Sequence, residues 1–161
     1  MIGNDIVDLD LAKRASNWKR KGFLDKIFTS NEQELILSST IPDTLVWNLW
    51  TRKEAAYKIY NRQMGIRGFF PLRMECHYTD QNYGTVSIND FIFYTKTEIT
   101  NDYLYTVAIN EKGNFDDVKT LELTNQIKKE NGIPFRIDLG TKHIIPVSIT
   151  HHGKFKRIIS L

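Results

Sequence analysis

What most limits the fold of this chain is a change of period near residue 65. Before it, Leu45, Val46, Leu49, Trp50, Tyr57 and Tyr60 recur at helical spacing. Pro42-Asp43-Thr44 makes a helix start, so one helix is expected from 42 to about 62. Gly65 and Gly68 end it, and Pro71 favours extended chain beyond. From 72 to 109 the pattern is β, with strands expected at 73–78, 85–88, 91–97 and 103–109. Asn82-Tyr83-Gly84, Asn89-Asp90 and Asn101-Asp102 supply the turns between them. A long helix followed by short strands and tight turns reads as α+β, an antiparallel sheet packed against helices.

The flanking sequence fits the same class. Residues 2–9 favour a strand, with Gly3 allowing close approach of another element. On it Gly3, Asp5, Val7 and Leu9 share one face and Asp8 points to the other. Asp5 among apolar neighbours is costly unless a cation or donors meet it. A turn or capping aspartate near a chain end is an equally good account of that stretch. Helical character follows from about residue 10, and Phe28-Thr29-Ser30-Asn31-Glu32 marks a helix start. There Thr29 or Ser30 caps and Glu32 or Gln33 answers three residues on. The stretch 113–131 has the weakest pattern: 118–123 reads as a strand and 124–130 as a short helix closed by Asn131-Gly132. Strands at 135–139, 144–150 and 155–160 follow. With no internal repeat or low-complexity linker, residues 1–161 read as one domain.

Composition narrows the classes. A net charge of +3, from 22 basic and 19 acidic side chains, is too mild to argue for nucleic acid. The basic residues do cluster, at Lys13, Arg14, Lys19, Arg20 and Lys21 and again at Lys154, Lys156 and Arg157. Either cluster is a solvated face or a receiver for phosphate or an acidic protein partner. The single cysteine, Cys76, excludes an internal disulfide framework and fits a reducing compartment. Cys76-His77 has no partner at metal-ligand spacing and is read as structural. Residues 2–9 do not resemble a signal peptide, and no apolar run approaches the ~20 residues that cross a bilayer. A cytoplasmic protein with no membrane partner is expected.

Three segments carry the chemistry. In Trp50-Thr51-Arg52-Lys53-Glu54-Ala55-Ala56-Tyr57-Lys58 a carboxylate and an ammonium stand four residues apart, so Glu54 and Lys58 share a helical face. Alone such a pair is usually a solvated ion pair worth about a few tenths of a kcal/mol. Trp50, one turn before Glu54, reads as core packing that fixes the helix. Asp5 adds a second carboxylate in an apolar setting, and together the three suggest a site for a metal ion and phosphate. The third segment is Pro146-Val147-Ser148-Ile149-Thr150-His151-His152-Gly153, where Ser148 and Thr150 alternate with apolar residues. His151 and His152, being adjacent on a strand, point in different directions, which argues against a two-histidine metal site.

In chain order the motifs are Gly3-Asn4-Asp5-Ile6, Phe28-Thr29-Ser30-Asn31-Glu32, Lys53-Glu54-Ala55-Ala56-Tyr57-Lys58, Gly132-Ile133-Pro134 and Val147-Ser148-Ile149-Thr150-His151. This series resembles the 4'-phosphopantetheinyl transferases, especially the short holo-acyl-carrier-protein synthases. The resemblance implies that family's fold with a β-rich insertion between 76 and 131. It implies magnesium-dependent transfer of the phosphopantetheine arm of coenzyme A to a serine of an apo acyl or peptidyl carrier protein, releasing 3',5'-ADP.

By the same resemblance Asp5 and Glu54 hold the magnesium, and Glu54, directly or through water, is the candidate base. Lys58 neutralises the pyrophosphate or protonates the leaving group. Ser148, Thr150 and His151 line the coenzyme A site, with Gly132 and Pro134 shaping the loop beside it. Where the short synthases often carry an arginine and a lysine, this chain has Leu49 and Ile133. Another basic group must then hold the 3'-phosphate, with Arg52, Lys154 or Lys19 to Lys21 as candidates. Short synthases are trimers with sites between subunits, so a homo-oligomer with shared sites is expected, trimer favoured. The competing reading is a non-catalytic coenzyme A or carrier-protein binding module derived from the family.

Overall fold

The structure is a computed structural model that describes residues 1–111, 114–122 and 126–161. In chain order the described elements begin with β1 (Ile2–Asp8), α1 (Leu9–Ala15), α2 (Phe23–Ile27), α3 (Ser30–Ser38) and α4 (Pro42–Met64). Then come β2 (Glu75–Tyr78), β3 (Tyr83–Ile88), β4 (Phe91–Ile99) and β5 (Tyr103–Ile109). The chain closes with β6 (Lys119–Thr120), β7 (Ile127–Glu130), β8 (Ile133–Ile137), β9 (Ile144–His152) and β10 (Phe155–Ser160). Among the described residues these strands make two five-stranded antiparallel sheets, ordered β1-β5-β4-β3-β2 and β6-β10-β9-β8-β7. The α+β class expected from sequence is what forms.

Helix α4 starts with Pro42 in its first turn, where the missing N–H is no loss. It ends at Gly65, whose φ of 65° supplies the left-handed cap. Its apolar face, including Leu45, Val46, Leu49, Ala55, Ala56 and Ile59, packs on one face of the first sheet against Val86, Phe93, Leu104 and Ala108. Contact with β1 is closest at Gly3: a Cβ there would land on the Ala55 carbonyl oxygen.

Two cations are sunk into this core, and both are held by hydrogen bonds, although Arg52 Nη1 has no partner among the described residues. Lys53, fully buried, pairs with Glu32 Oε2 at 2.5 Å and donates to the carbonyls of Ile27 and Pro71, both at 2.9 Å. Glu32 also closes the Thr29 capping box of α3 and accepts the Cys76 N–H at 2.8 Å. One ion pair thus ties α3, α4 and β2 together, and breaking it would strand a buried charge. Arg52, also fully buried, donates to Asn48 Oδ1 at 2.6 Å and to the carbonyls of Asp80 and Gln81, and its guanidinium lies over the Tyr78 ring.

Several expectations are corrected. Tyr83 and Gly84 belong to β3, because Asp80 Oδ1 accepts the N–H groups of Asn82 and Tyr83 at 2.7 Å and moves the turn upstream. Pro71 opens a 3-10 turn (Pro71–Arg73) instead of extended chain, and the following strand starts at Glu75. Within 124–130, the expected helix is replaced from Ile127 onward by β7, paired to β8 from Ile127↔Arg136 to Glu130↔Ile133. Asn131 and Gly132, with φ of 50° and 81°, form a two-residue hairpin turn and not a helix cap. Lys128, Lys129 and Glu130 have helical propensity, which the hairpin overrides. Of the strand expected at 118–123 only Lys119–Thr120 is paired, and Leu123, Thr124 and Asn125 lie outside the described residues. β9 runs on through His151 to His152, two residues past the expected limit at 150.

The two sheets are joined by an unusual seam. Strand β1 is at the edge of its sheet, so half its backbone N–H groups have no strand partner. Those of Asn4, Ile6 and Asp8 donate instead to β9 side chains: Ser148 Oγ at 3.0 Å, Thr150 Oγ1 at 3.3 Å and His152 Nδ1 at 2.9 Å. Both strands advance by two, so every second side chain of β9 caps every second amide of β1. On the other side of β1, Ile2 and Ile109 meet Ile159 of β10 in a second, smaller core.

Candidate active site

The seam delivers β9 to the carboxylate of Asp5. Thr150 Oγ1, while accepting the Ile6 N–H, donates to Asp5 Oδ1 at 2.9 Å. Lys58 reaches the same oxygen at 3.3 Å and donates to the carbonyls of Asn4 at 2.6 Å and Ile149 at 3.3 Å. The ammonium thus sits at the crossing of β1, β9 and α4 with all three of its donors engaged. The sequence pairs Lys58 with Glu54 one turn away; in the structure its ion-pair partner is Asp5.

Asp5 and Glu54 line one cleft of 260 Å³, walled by Ile6, Val7, Trp47 and Trp50 and reached by His151. Trp50 is held edge-to-face against Phe69, so it forms the wall of this cleft as well as packing. Burial raises the pKa of Asp5, and the Lys58 charge and the Thr150 hydroxyl oppose that rise. Glu54 is pushed up to about 7, first by burial and then by the neighbouring Asp5 charge, with Lys58 pulling the other way. The Asp5 charge raises the pKa of Glu54, and two carboxylates in one cleft make a natural cation site. Among the described residues no group of three or more His, Cys, Asp or Glu side chains forms a metal cage. Such a sparse all-oxygen set fits Mg²⁺, which takes one or two carboxylates and fills its octahedron with water and phosphate oxygens.

His151 also lines a second cleft, of 240 Å³, together with Lys58, Arg62, Lys129, Gly132 and Pro134. Gly132 and Pro134 therefore stand beside the site, where the sequence puts them. Ser148 lines this second cleft too, and both Ser148 and Thr150 also serve the fold. They are 3% and 5% exposed, and both hydroxyls are committed to β1, Ser148 also donating to Asn4 Oδ1 at 2.7 Å. Thr150 orients Asp5, Ser148 holds Asn4, and His151 is exposed on the same strand. The expected split of the site between two subunits is not needed to gather these groups: Asp5, Glu54, Lys58, Gly132, Pro134 and His151 meet within one chain.

Asp8 holds the hairpin turn in place. Its carboxylate caps α1 through the Leu11 N–H at 3.0 Å and accepts the Lys154 N–H at 3.2 Å. Those amide donors, led by Leu11, keep its pKa low. Gly153 lies so close that a Cβ would run into the same carboxylate.

The sequence candidates for a 3'-phosphate holder sit in different settings. Arg52 is buried under Tyr78, Lys154 lies over the Phe155 ring, and Lys19 faces a separate 620 Å³ groove with Lys13 and Arg14. That groove adjoins the carboxylate cleft through Ala12, Ser16 and Trp47. Missed from sequence were Asn4, which no pattern marks, and Arg62. The latter had a signal: Glu54, Lys58 and Arg62 repeat at four-residue spacing along one face of α4.

Solved structures similar to this one are holo-acyl-carrier-protein synthases. That of Helicobacter pylori, in complex with coenzyme A, is 17% identical with a TM-score of 0.54, covering 69% of this chain and 100% of that one. The Bacillus anthracis enzyme, in complex with CoA (3',5'-ADP), is 18% identical with a TM-score of 0.50, covering 66% and 91%. The Thermotoga maritima enzyme is 11% identical with a TM-score of 0.50, covering 78% of each chain. At these identities the likeness establishes the fold. No curated protein sequence matches the chain. The model of the 4'-phosphopantetheinyl transferase superfamily, however, matches residues 1–108, which contain Asp5, Glu54 and Lys58. On that match, over more than half its length, the chain belongs to the 4'-phosphopantetheinyl transferase superfamily.

Proposed function

We propose that this chain transfers the 4'-phosphopantetheine arm of coenzyme A to a serine of an apo acyl or peptidyl carrier protein, releasing 3',5'-ADP, with magnesium as the metal. The observation that carries this reading is the convergence of Asp5 and Glu54 in a cleft that meets a cationic one at His151. Two similar structures were solved with coenzyme A, which supports it as the substrate.

In the reaction the serine oxygen bonds to the β-phosphorus, the bond from that phosphorus to the 3',5'-ADP oxygen breaks, and the serine proton goes to Glu54. Burial and the Asp5 charge raise the proton affinity of Glu54, which suits it to take that proton directly or through a water. Lys58, its three donors already engaged, acts as a fixed positive charge beside the pyrophosphate rather than as a proton donor. Asp5 and Glu54 would hold Mg²⁺, whose charge offsets that of the pyrophosphate. The groove flanked by Lys13, Arg14 and Lys19 suits an acidic carrier protein, since complementary charge speeds encounter. A cytoplasmic setting and a homo-oligomer, trimer favoured, complete the proposal.

The test is incubation with coenzyme A, magnesium and apo carrier protein, followed by mass spectrometry of the carrier. A gain of one phosphopantetheine arm is expected, and Asp5→Ala or Glu54→Ala should abolish it while circular dichroism stays unchanged. Binding of coenzyme A with no transfer to any carrier of the same organism would instead mark a binding module.

A further inference from the structure

The groove beside α1 offers less free charge than its sequence suggests. Arg14 pairs with Asp10 at 2.8 Å and Lys19 with Asp43 at 3.7 Å, so each is matched by a carboxylate of its own surface. The turn between β9 and β10 differs. Lys154 and Lys156 are exposed there, and among the described residues neither is in an ion pair. Lys154 lies over the Phe155 ring, 5.2 Å from its centroid, a contact that orders the side chain without cancelling its charge. Lys156 stands directly across the ladder from His151, so the two share one face of the hairpin. His151 and His152 line the carboxylate cleft. The α1 groove adjoins that cleft elsewhere, through Ala12, Ser16 and Trp47. Basic side chains therefore flank the cleft from two separate elements.

Asp8 fixes those two elements to each other. Its carboxylate caps α1 through the Leu11 N–H and accepts the Lys154 N–H. Gly153, at a φ of 54°, turns the chain against it where a Cβ has no room. One carboxylate thus sets α1 and the hairpin turn in a fixed relation.

We infer that the β9–β10 turn, through Lys154 and Lys156, is a second docking surface for the carrier protein, which meets α1 on one side of the reacting serine and this turn on the other. The inference rests on the carrier reading above. The partner it fits is an acidic protein with carboxylates on both sides of an accessible serine, since a serine brought to Glu54 carries its protein past both basic elements. Charges at the rim of an interface act on encounter and orientation more than on the bound reaction. Lysine suits such a contact, being a compact, hydrated charge on a flexible stem. Arg157 is not part of this surface. Next to Lys156 on the strand, it points to the other face, where its guanidinium lies over Tyr103 and Tyr105.

Steady-state transfer, with apo carrier and coenzyme A varied separately at two salt concentrations, tests this. Lys154→Glu combined with Lys156→Glu should raise KM for the carrier about tenfold, leaving kcat and KM for coenzyme A unchanged. The same variant should flatten the salt dependence of kcat/KM. Lys154→Gln combined with Lys156→Gln should move KM in the same sense by less. An unchanged KM for the carrier in both variants, with transfer intact, overturns the surface and leaves the proposed function standing. A rise in KM for coenzyme A with none for the carrier overturns the surface as well. Fluorescence anisotropy with labelled apo carrier reads binding without transfer. Salt-sensitive binding that the charge reversal weakens, in a protein that transfers nothing, overturns the function and keeps the surface.

Discussion

A glutamate one helical turn from a lysine is ordinarily ionised well below neutrality, yet Glu54 is pushed up to about 7 because it is buried and faces Asp5. Lys58, which would have held it down, is drawn to Asp5 and to two carbonyls on the crossing strands. A pKa raised on folding means that the folded state binds a proton that the unfolded state gives up more readily. The associated stability is complete below 4.5, the ordinary value, and is lost as pH rises through about 7. In metal-free buffer the melting temperature should therefore fall between about pH 4.5 and pH 7, by a few degrees, and level off above that. Glu54→Gln should flatten that slope, and Mg²⁺ should raise the melting temperature more at the higher pH, where both carboxylates are charged. Scanning fluorimetry across this range reads both effects. An identical slope in the variant would detach Glu54 from the titration.

Elements find their places here through backbone contacts that single residues permit. Gly3 lets β1 lie directly on the Ala55 carbonyl of α4, and that contact sets Asp5 opposite Glu54. Alanine normally gains about 0.5–1 kcal/mol over glycine in a strand, but a methyl group driven into a helix carbonyl outweighs this. Gly3→Ala should lose about 2 kcal/mol in urea unfolding, and an unchanged midpoint would show that the two elements can part freely. This close approach was legible in the sequence, as were the Thr29 capping box, the limits of α4 to within two residues, and the strands β5 and β10. Local pattern sets all of these. The hairpin β7–β8 was not legible, because its lysines and glutamate favour helix and only pairing across the two-residue turn decides otherwise. The seam was hidden for a related reason. Ser148 and Thr150 are polar side chains on an alternating strand, and nothing in that local pattern shows that the unpaired edge of β1 takes their oxygens.

At the scale of the whole molecule, the seam bears on how many chains one site requires. The family resemblance implies subunits that exchange the serine–histidine strand, and the chain carries one copy of each element. Here β9 is bound to β1 of its own chain through three side chain-to-amide bonds, and the Asp8 carboxylate locks the turn that follows. Pulling β9 out to serve a neighbour would leave the amides of Asn4, Ile6 and Asp8 unpaired and the Lys58 ammonium short of the Ile149 carbonyl. Each such loss in a buried setting is worth about 1–3 kcal/mol, which makes an exchanged strand the poorer arrangement. A mixing experiment separates the two. Glu54→Ala and His151→Ala, each of low activity alone, are coexpressed with different tags and purified through both. A site completed within one chain predicts that the mixed oligomer regains nothing, since every chain carries one defect in its own site. A site shared between chains predicts recovery, because some interfaces would pair an intact carboxylate cleft with an intact histidine. Recovery would mean that β9 leaves β1 on assembly. Failure to isolate any doubly tagged species, with the single wild-type chain fully active on dilution, would establish the one-chain site directly.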